Sequence, residues 1–270
     1  MLPNSKTVKK EAKGLLAGKW PLAISAVMIF VFFAFFMAII YSLLYPLFPS
    51  GIPFVVLTVL TVFFSVALGF PLLLGVLRVF RCILCDTDTD LYTVFYYYSS
   101  VRHLTKVTQF CIVLISKFAL IALLLFLPSI IIEVLASGKL PFFMESGMPI
   151  WFSNLWVFGT FLRGIAVAVL IYIILRHYLC MYIFVQNDNI NIMEAVLLSK
   201  KVAKYSITGF VGLFFSLLGW ILLSLLAVPI VFTAPYVIMC YVVHCTAAID
   251  NYNRKIKATT PFADEIEFDL

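Results

Sequence analysis

Residues 21–45 read PLAISAVMIFVFFAFFMAIIYSLLY, twenty-five consecutive positions without a charged side chain. A helix crossing about 30 Å of hydrocarbon needs about 20 mostly apolar residues, so this stretch alone is long enough to span a bilayer. Working outward, five more segments pass the same test, at about 53–77, 108–134, 160–185, 206–227 and 229–249. None alternates with period two, so nothing supports a β-barrel. The chain of 270 residues is 64% hydrophobic and 12% charged, where a soluble domain has about 45–50% apolar and about 25% charged residues. That balance excludes a soluble globular enzyme, a disordered chain and a disulfide scaffold. The expected fold class is all-α: a polytopic membrane helical bundle of six transmembrane helices with cytoplasmic amphipathic interfacial helices. Residues 1–257 are expected to form one integral membrane domain. Residues 258–270, with Asp264, Glu265, Glu267 and Asp269 and no basic residue, are expected to be an acidic cytoplasmic tail.

Lysine and arginine are retained on the cytoplasmic side of a membrane, and here they are strongly segregated. The N-terminal arm holds Lys6, Lys9, Lys10, Lys13 and Lys19, and the second loop Arg78, Arg81, Arg102 and Lys106. The fourth loop holds Lys200, Lys201 and Lys204, and the tail Arg254, Lys255 and Lys257. Against these fifteen, the opposite loops carry Lys139. The count predicts both termini in the cytoplasm. The net charge of +6 then reads as topology and lipid-headgroup contact, with no nucleic-acid partner expected. The first apolar run exceeds the 7–15 residues of a signal-peptide core and no small-residue cleavage site follows it, so it is expected to remain in the mature protein.

Three segments between the spans have amphipathic spacing. In 5–19, Val8, Ala12, Leu15 and Leu16 share one face and lysines the other. In 91–101, after a capping Asp90, Leu91, Val94, Phe95 and Tyr98 form an apolar face. From Asn191, with Glu194 three residues on as in a capping box, Ile192, Met193, Val196, Leu197 and Ala203 supply a third. All three are expected to lie parallel to the membrane as a cytoplasmic collar. Asp86, Asp88 and Asp90 do not complete a calcium loop, because Leu91 and Tyr97 stand where that loop needs glycine and glutamate. Pro71, Pro128 and Pro235 are expected to interrupt spans two, three and six, and a tight hairpin is expected near 227–236. The external segment 136–159 reads as a loop with an interfacial aromatic stretch.

Charges within apolar spans are the leading functional candidates. Lys117 lies eleven residues past Lys106, about 16 Å along a helix. Arg176 and His177 lie about ten residues before Gln186. Their shared depth predicts a cytoplasm-facing polar cavity lined by Lys117, Arg176 and His177 that holds an anionic headgroup or solute. Glu133 and Arg163 fall near the outer ends of their spans, as interface anchors. Gly209, Gly212, Ser216 and Gly219, spaced three, four and three, form a small-residue packing stripe, within the bundle or at a dimer face. The six cysteines lie outside the external loops, so no disulfide, metal or other cofactor is expected. No phosphate loop, zinc-protease helix or nucleophile elbow is present, and no catalytic residue is assigned.

Around the fifth span the motifs form a pattern. Ser199-Lys200 precedes a basic stretch, followed by Gly209-Phe210, Phe214, the run Ser216-Leu217-Leu218-Gly219-Trp220, and Pro235-Tyr236 at the start of the last span. Lys10-Glu11-Ala12-Lys13 with Gly18-Lys19-Trp20, Gly69-Phe70-Pro71-Leu72 with Gly75 and Arg78, and Tyr178 with Tyr182-Ile183 and Asn187-Asp188 accompany it. Together these resemble the bacterial integral-membrane family known as domain of unknown function 975. The resemblance singles out Ser199, Gly219, Trp220, Pro235 and Tyr236 as motif residues. It implies a multi-pass protein of the bacterial cytoplasmic membrane and carries no activity with it. The expected function is non-enzymatic: a membrane-organising protein that binds anionic lipid headgroups at its cytoplasmic face, and a membrane-protein partner or second copy. The alternative is a small transporter or an accessory subunit of one.

Overall fold

The computed structural model describes residues 4–48, 50–136, 151–187, 189–223 and 229–259. Among them are eight α-helices, two 3₁₀ helices and no strand. The α-helices are α1 Ser5–Leu16, α2 Trp20–Leu44, α3 Gly51–Leu84, α4 Val101–Ala136, α5 Trp151–Leu175, α6 Cys180–Gln186, α7 Ile192–Leu223 and α8 Ile230–Thr259. Six helical stretches are long and apolar enough to cross a membrane: Trp20–Leu47, Gly51–Leu84, Val101–Val134, Val157–Gln186, Ile192–Leu223 and Ile230–Ile256. They stand where the six apolar segments predicted them. The chain divides into two compact units, Met1–Cys111 with Tyr178–Leu270, and Ile112–His177.

In the first unit, α1 is no loose surface helix. Val8, Ala12 and Leu16, one turn apart on one face, are fully buried, and α1 packs on α8, α7 and α3. It stops where Gly18 takes φ +82°, a conformation open to a residue without Cβ. Pro21 then sits in the first turn of α2, where its missing N–H costs no hydrogen bond. The 3₁₀ helix Leu91–Tyr98 lies against α3. A Cβ on Gly75 would stand 1.8 Å from the Val94 carbonyl oxygen, so glycine is what permits the approach. Phe110 stacks on Phe184 at 4.2 Å between ring centroids. Arg81 donates to the Val185 carbonyl at 3.0 Å, fastening α6 to α3. In the second unit, Gly159 of α5 fits against Ile132 and the Ser129 carbonyl of α4, and Arg163 donates to Glu133 in an ion pair between the two helices.

Several boundaries differ from expectation. The segment from Asn191 is not a separate interfacial helix: it runs unbroken into the fifth span as α7, because residues 192–223 contain no proline and no stop signal. The Asn191 backbone N–H does bond the Glu194 carboxylate, at 3.4 Å. The 91–101 segment is a 3₁₀ helix ending at Tyr98, and Asp90 makes no side-chain cap. The apolar face of α1 is buried by neighbouring helices, while in the first turns of α7 Ala195 and Val196 are buried and Met193 and Leu197 are exposed. Pro71, Pro128 and Pro235 lie inside continuous helices. α8 already runs from Ile230, so residues 230–236 of the expected hairpin are helix, and 224–228 lie outside the described residues. The fourth span is the one that breaks, at residues 176–179. Of the outer segment expected over 136–159, residues 151–159 belong to α5 and 137–150 lie outside the described residues; of the tail expected over 258–270, residues 258 and 259 end α8 and the rest lie outside the described residues.

Candidate functional site

In the second unit, two of the three predicted cavity residues meet. Lys117 Nζ on α4 lies 2.6 Å from His177 Nε2, and His177 Nδ1 lies 2.7 Å from the Ile173 carbonyl oxygen. A carbonyl only accepts, so Nδ1 carries the proton and Nε2 accepts from the lysine ammonium. Phe118 presents its ring to the imidazole at 82°, and His177 is 7% exposed. The same contacts explain the helix break. The His177 side chain occupies the carbonyl that its own backbone N–H would use in an α-helix, and that N–H bonds Ile174 instead, at 2.9 Å. Arg176 does not join the pair; its guanidinium carbon lies 5.9 Å from the ring centroid of Tyr172, one turn earlier.

In the first unit, a largely buried polar chain joins the turn at 176–179 to α7 and α8. Ser206 donates to the Val202 carbonyl at 3.0 Å, so its oxygen accepts from Tyr178, 2.8 Å away. Tyr178 in turn lies 3.2 Å from His244 Nε2, and Tyr241 donates to the Tyr178 carbonyl at 2.6 Å. Alongside, Tyr182 meets Thr246 at 2.5 Å, and Phe210 stacks on Tyr178 at 4.0 Å. Ser206 and His244 are each 1% exposed. The serine proton is committed to a carbonyl, and the hydrogen bonds tie the turn at 176–179 to α7 and α8 as a polar bolt. Sequence reasoning missed this cluster. Its signal was three isolated polar residues in apolar runs, and nothing in their spacing showed that they meet.

The small-residue stripe lies off the packed face of α7. That face consists of Ala195, Val196, Ser199, Val202, Ala203, Ser206, Leu213 and Leu217. Gly212, Ser216 and Gly219 are exposed, and a Cβ built at Gly212 or Gly219 meets no described atom within 4 Å. The close helix approach expected along the stripe is thus not made at these two glycines. What reaches the stripe is α1: Lys9 Nζ donates to the Ser216 carbonyl at 2.5 Å. The other motif residues are divided. Trp220 and Tyr236 meet edge to face at 5.4 Å, one residue after Pro235. Ser199 is fully buried and its hydroxyl has no hydrogen-bond partner among the described residues.

At the ends of α2 and α3, Lys19 bonds Asp86 at 2.5 Å. Asp86 takes φ 52°, a left-handed conformation that aspartate tolerates. The Lys19 ammonium, by hydrogen bond and by charge, holds the Asp86 carboxyl below the usual range. The pair borders an opening of about 410 Å3 between Pro21, Leu22, Ile83 and Thr87. All six cysteines are free thiols. Among the described residues no three His, Cys, Asp or Glu side chains converge as metal ligands. Compared with protein-family models, curated proteins and solved structures, the chain matches none.

Proposed function

We propose that this chain is a non-enzymatic, multi-pass protein of a bacterial cytoplasmic membrane that organises the bilayer by gathering anionic lipids at its cytoplasmic face. One observation carries the reading. α1 is mounted by fully buried Val8, Ala12 and Leu16, which turns Lys6, Lys10 and Lys13 outward as exposed side chains. A basic rib held rigidly on a protein surface loses less freedom on meeting headgroups than a mobile arm does. Exposed Lys201 and Lys204 on α7 add to the same charge. Membership of the domain of unknown function 975 family is part of this proposal, supported by the motif residues quoted above and by the Trp220–Tyr236 contact. In nanodiscs of mixed phosphatidylglycerol and phosphatidylcholine, the protein is expected to enrich its surrounding lipid in the anionic species. A Lys6→Gln, Lys10→Gln, Lys13→Gln variant should lose that enrichment. Unchanged enrichment overturns the reading.

A second reading, an accessory subunit of a transport system, is favoured by the interruption at residues 176–179. Transporters place broken helices beside buried charge, and the Lys117–His177 pair sits at that break. Solute uptake unaltered by His177→Leu would remove its support.

A further inference from the structure

We infer that Cys82 and Cys85 are a reversible modification site: a dithiol that a small soluble disulfide oxidises to a disulfide within the last turn of α3, releasing Lys19 from Asp86. The inference goes beyond the headgroup-binding reading above and uses none of its residues.

Four of the six thiols, Cys111, Cys180, Cys240 and Cys245, are buried. Cys85 is exposed and Cys82 half-buried, so these two are the thiols that a reagent in water reaches. They stand three residues apart at the end of α3, where helix geometry sets side chains about 5–6 Å apart between Cβ atoms. A disulfide needs about 3.5–4.5 Å. The reduced pair is near bonding geometry, and closing the bond takes about 1–2 Å of movement at one residue.

The local structure decides which residue moves. Cys82 is held in place: Ile83 beside it is 1% exposed, and Arg81 bonds the Val185 carbonyl of α6 at 3.0 Å. Cys85 caps the helix with ψ 2°, and Asp86 follows at φ 52°. The turn is closed through the Cys82 carbonyl, which accepts from the Thr87 backbone N–H at 3.1 Å and from the Thr87 hydroxyl at 3.2 Å. The Asp86 N–H reaches the Ile83 carbonyl at 3.4 Å. These backbone bonds are the Schellman closure of a helix end, built here on aspartate in place of glycine. Drawing Cys85 toward Cys82 reorients the peptide that leads into Asp86, and the carboxylate leaves its ion-pair partner Lys19.

The exposed Cys85 thiol gives its proton to water and attacks one sulfur of the external disulfide, which expels a first thiolate. The Cys82 thiol then gives up its proton and attacks the Cys85 sulfur, expelling the second. The two protein thiols lose two hydrogens and two electrons, and one small disulfide becomes two thiols. On the topology proposed above the turn faces the cytoplasm, where thiols are kept reduced, so the oxidised form lasts as long as the oxidising condition.

Oxidised glutathione added to the full chain in mild non-ionic detergent, followed by peptide mapping, tests the site. The peptide holding both cysteines should lose two hydrogens. This closed form should exceed the glutathione adduct by at least about tenfold, because the second thiol acts within the chain. Cys82→Ser should instead keep one glutathione on Cys85, and dithiothreitol should return the wild type to the dithiol. Acetic anhydride labelling of Lys19, relative to exposed Lys10, should rise about two- to fivefold on oxidation, as loss of an exposed ion pair implies. Asp86→Asn should show that rise without oxidation. A glutathione adduct that persists in the wild type, or no reaction at either cysteine, overturns the site. Unchanged Lys19 labelling in the closed form overturns the release. If Cys82→Ser does not fold, the wild-type peptide map decides.

Discussion

Residues 52–68 and 69–83 of α3 are both mainly apolar, the second interrupted by Arg78 and Arg81, yet they are packed in opposite ways. In the first stretch Ile52, Val59 and Phe63 are 80%, 60% and 63% exposed. In the second, Leu74, Val79 and Phe80 are fully buried. α2 divides likewise, with Ala23, Ala26 and Val27 buried and Phe32, Phe35 and Phe36 exposed. In water, one apolar stretch would be driven inward as strongly as the other. Where lipid is the solvent, apolar exposure costs little, and helices associate through close van der Waals contact and polar bonds. The packed stretch has the means for both: Gly69 and Gly75 admit neighbours, and Arg81 and the nearby Tyr178 cluster supply hydrogen bonds. The exposed stretch lacks them.

The largest effect should come from the closest contact. Gly75→Ala places a methyl group against the Val94 carbonyl oxygen, where backbone must yield. A loss of about 3 kcal/mol or more is expected, read as a lower midpoint of heat-induced aggregation in detergent. Wild-type behaviour would break the comparison at its firmest point.

Next comes the polar bolt. Tyr178→Phe keeps the stacking on Phe210 and removes the hydroxyl between Ser206 and His244. Losing the bond to Ser206 and the hydroxyl beside His244 Nε2 should cost about 1–3 kcal/mol, measured by denaturant unfolding in micelles. No loss would mean that the cluster does not hold the packed half together.

Phe63→Leu, in the exposed half of the same helix, should change stability by less than about 0.5 kcal/mol. A cost like that of Tyr178→Phe would show that this half is buried by protein, as in an assembly of several copies.

The smallest effect is at Asp86, whose side chain is fully exposed. Its carboxyl is held below the unfolded value of 3.8 by Lys19. The stability it adds is therefore present above that value and is lost as pH falls through the lower, folded value. Unfolding midpoints should decline slightly across that acid window in the wild type, and Asp86→Asn should flatten the decline. High salt should do the same.

Much of the molecule was legible in its order of residues, and the misses share a cause. The six long helices followed from runs of apolar residues long enough to cross hydrocarbon. Lys117 and His177, expected from equal depth on spans adjacent in order to line one polar cavity, lie 2.6 Å apart. Arg176 was expected beside them, but the local turn directs it to Tyr172 instead. The three prolines were given too much weight, because a helix tolerates the loss of one hydrogen bond when its neighbours hold it. The break came at Arg176-His177, where a side chain competes for a carbonyl and no breaker residue announces it.

The amino-acid order by itself determined how many long apolar helices there are and where they start, because helix length and side-chain hydropathy are properties of contiguous residues. Which half of α3 is packed, which polar residues form the bolt, and that Lys9 reaches the Ser216 carbonyl were decided by tertiary structure alone. Those outcomes depend on which faces of distant helices meet, and a uniformly apolar helix carries almost no pattern to say so.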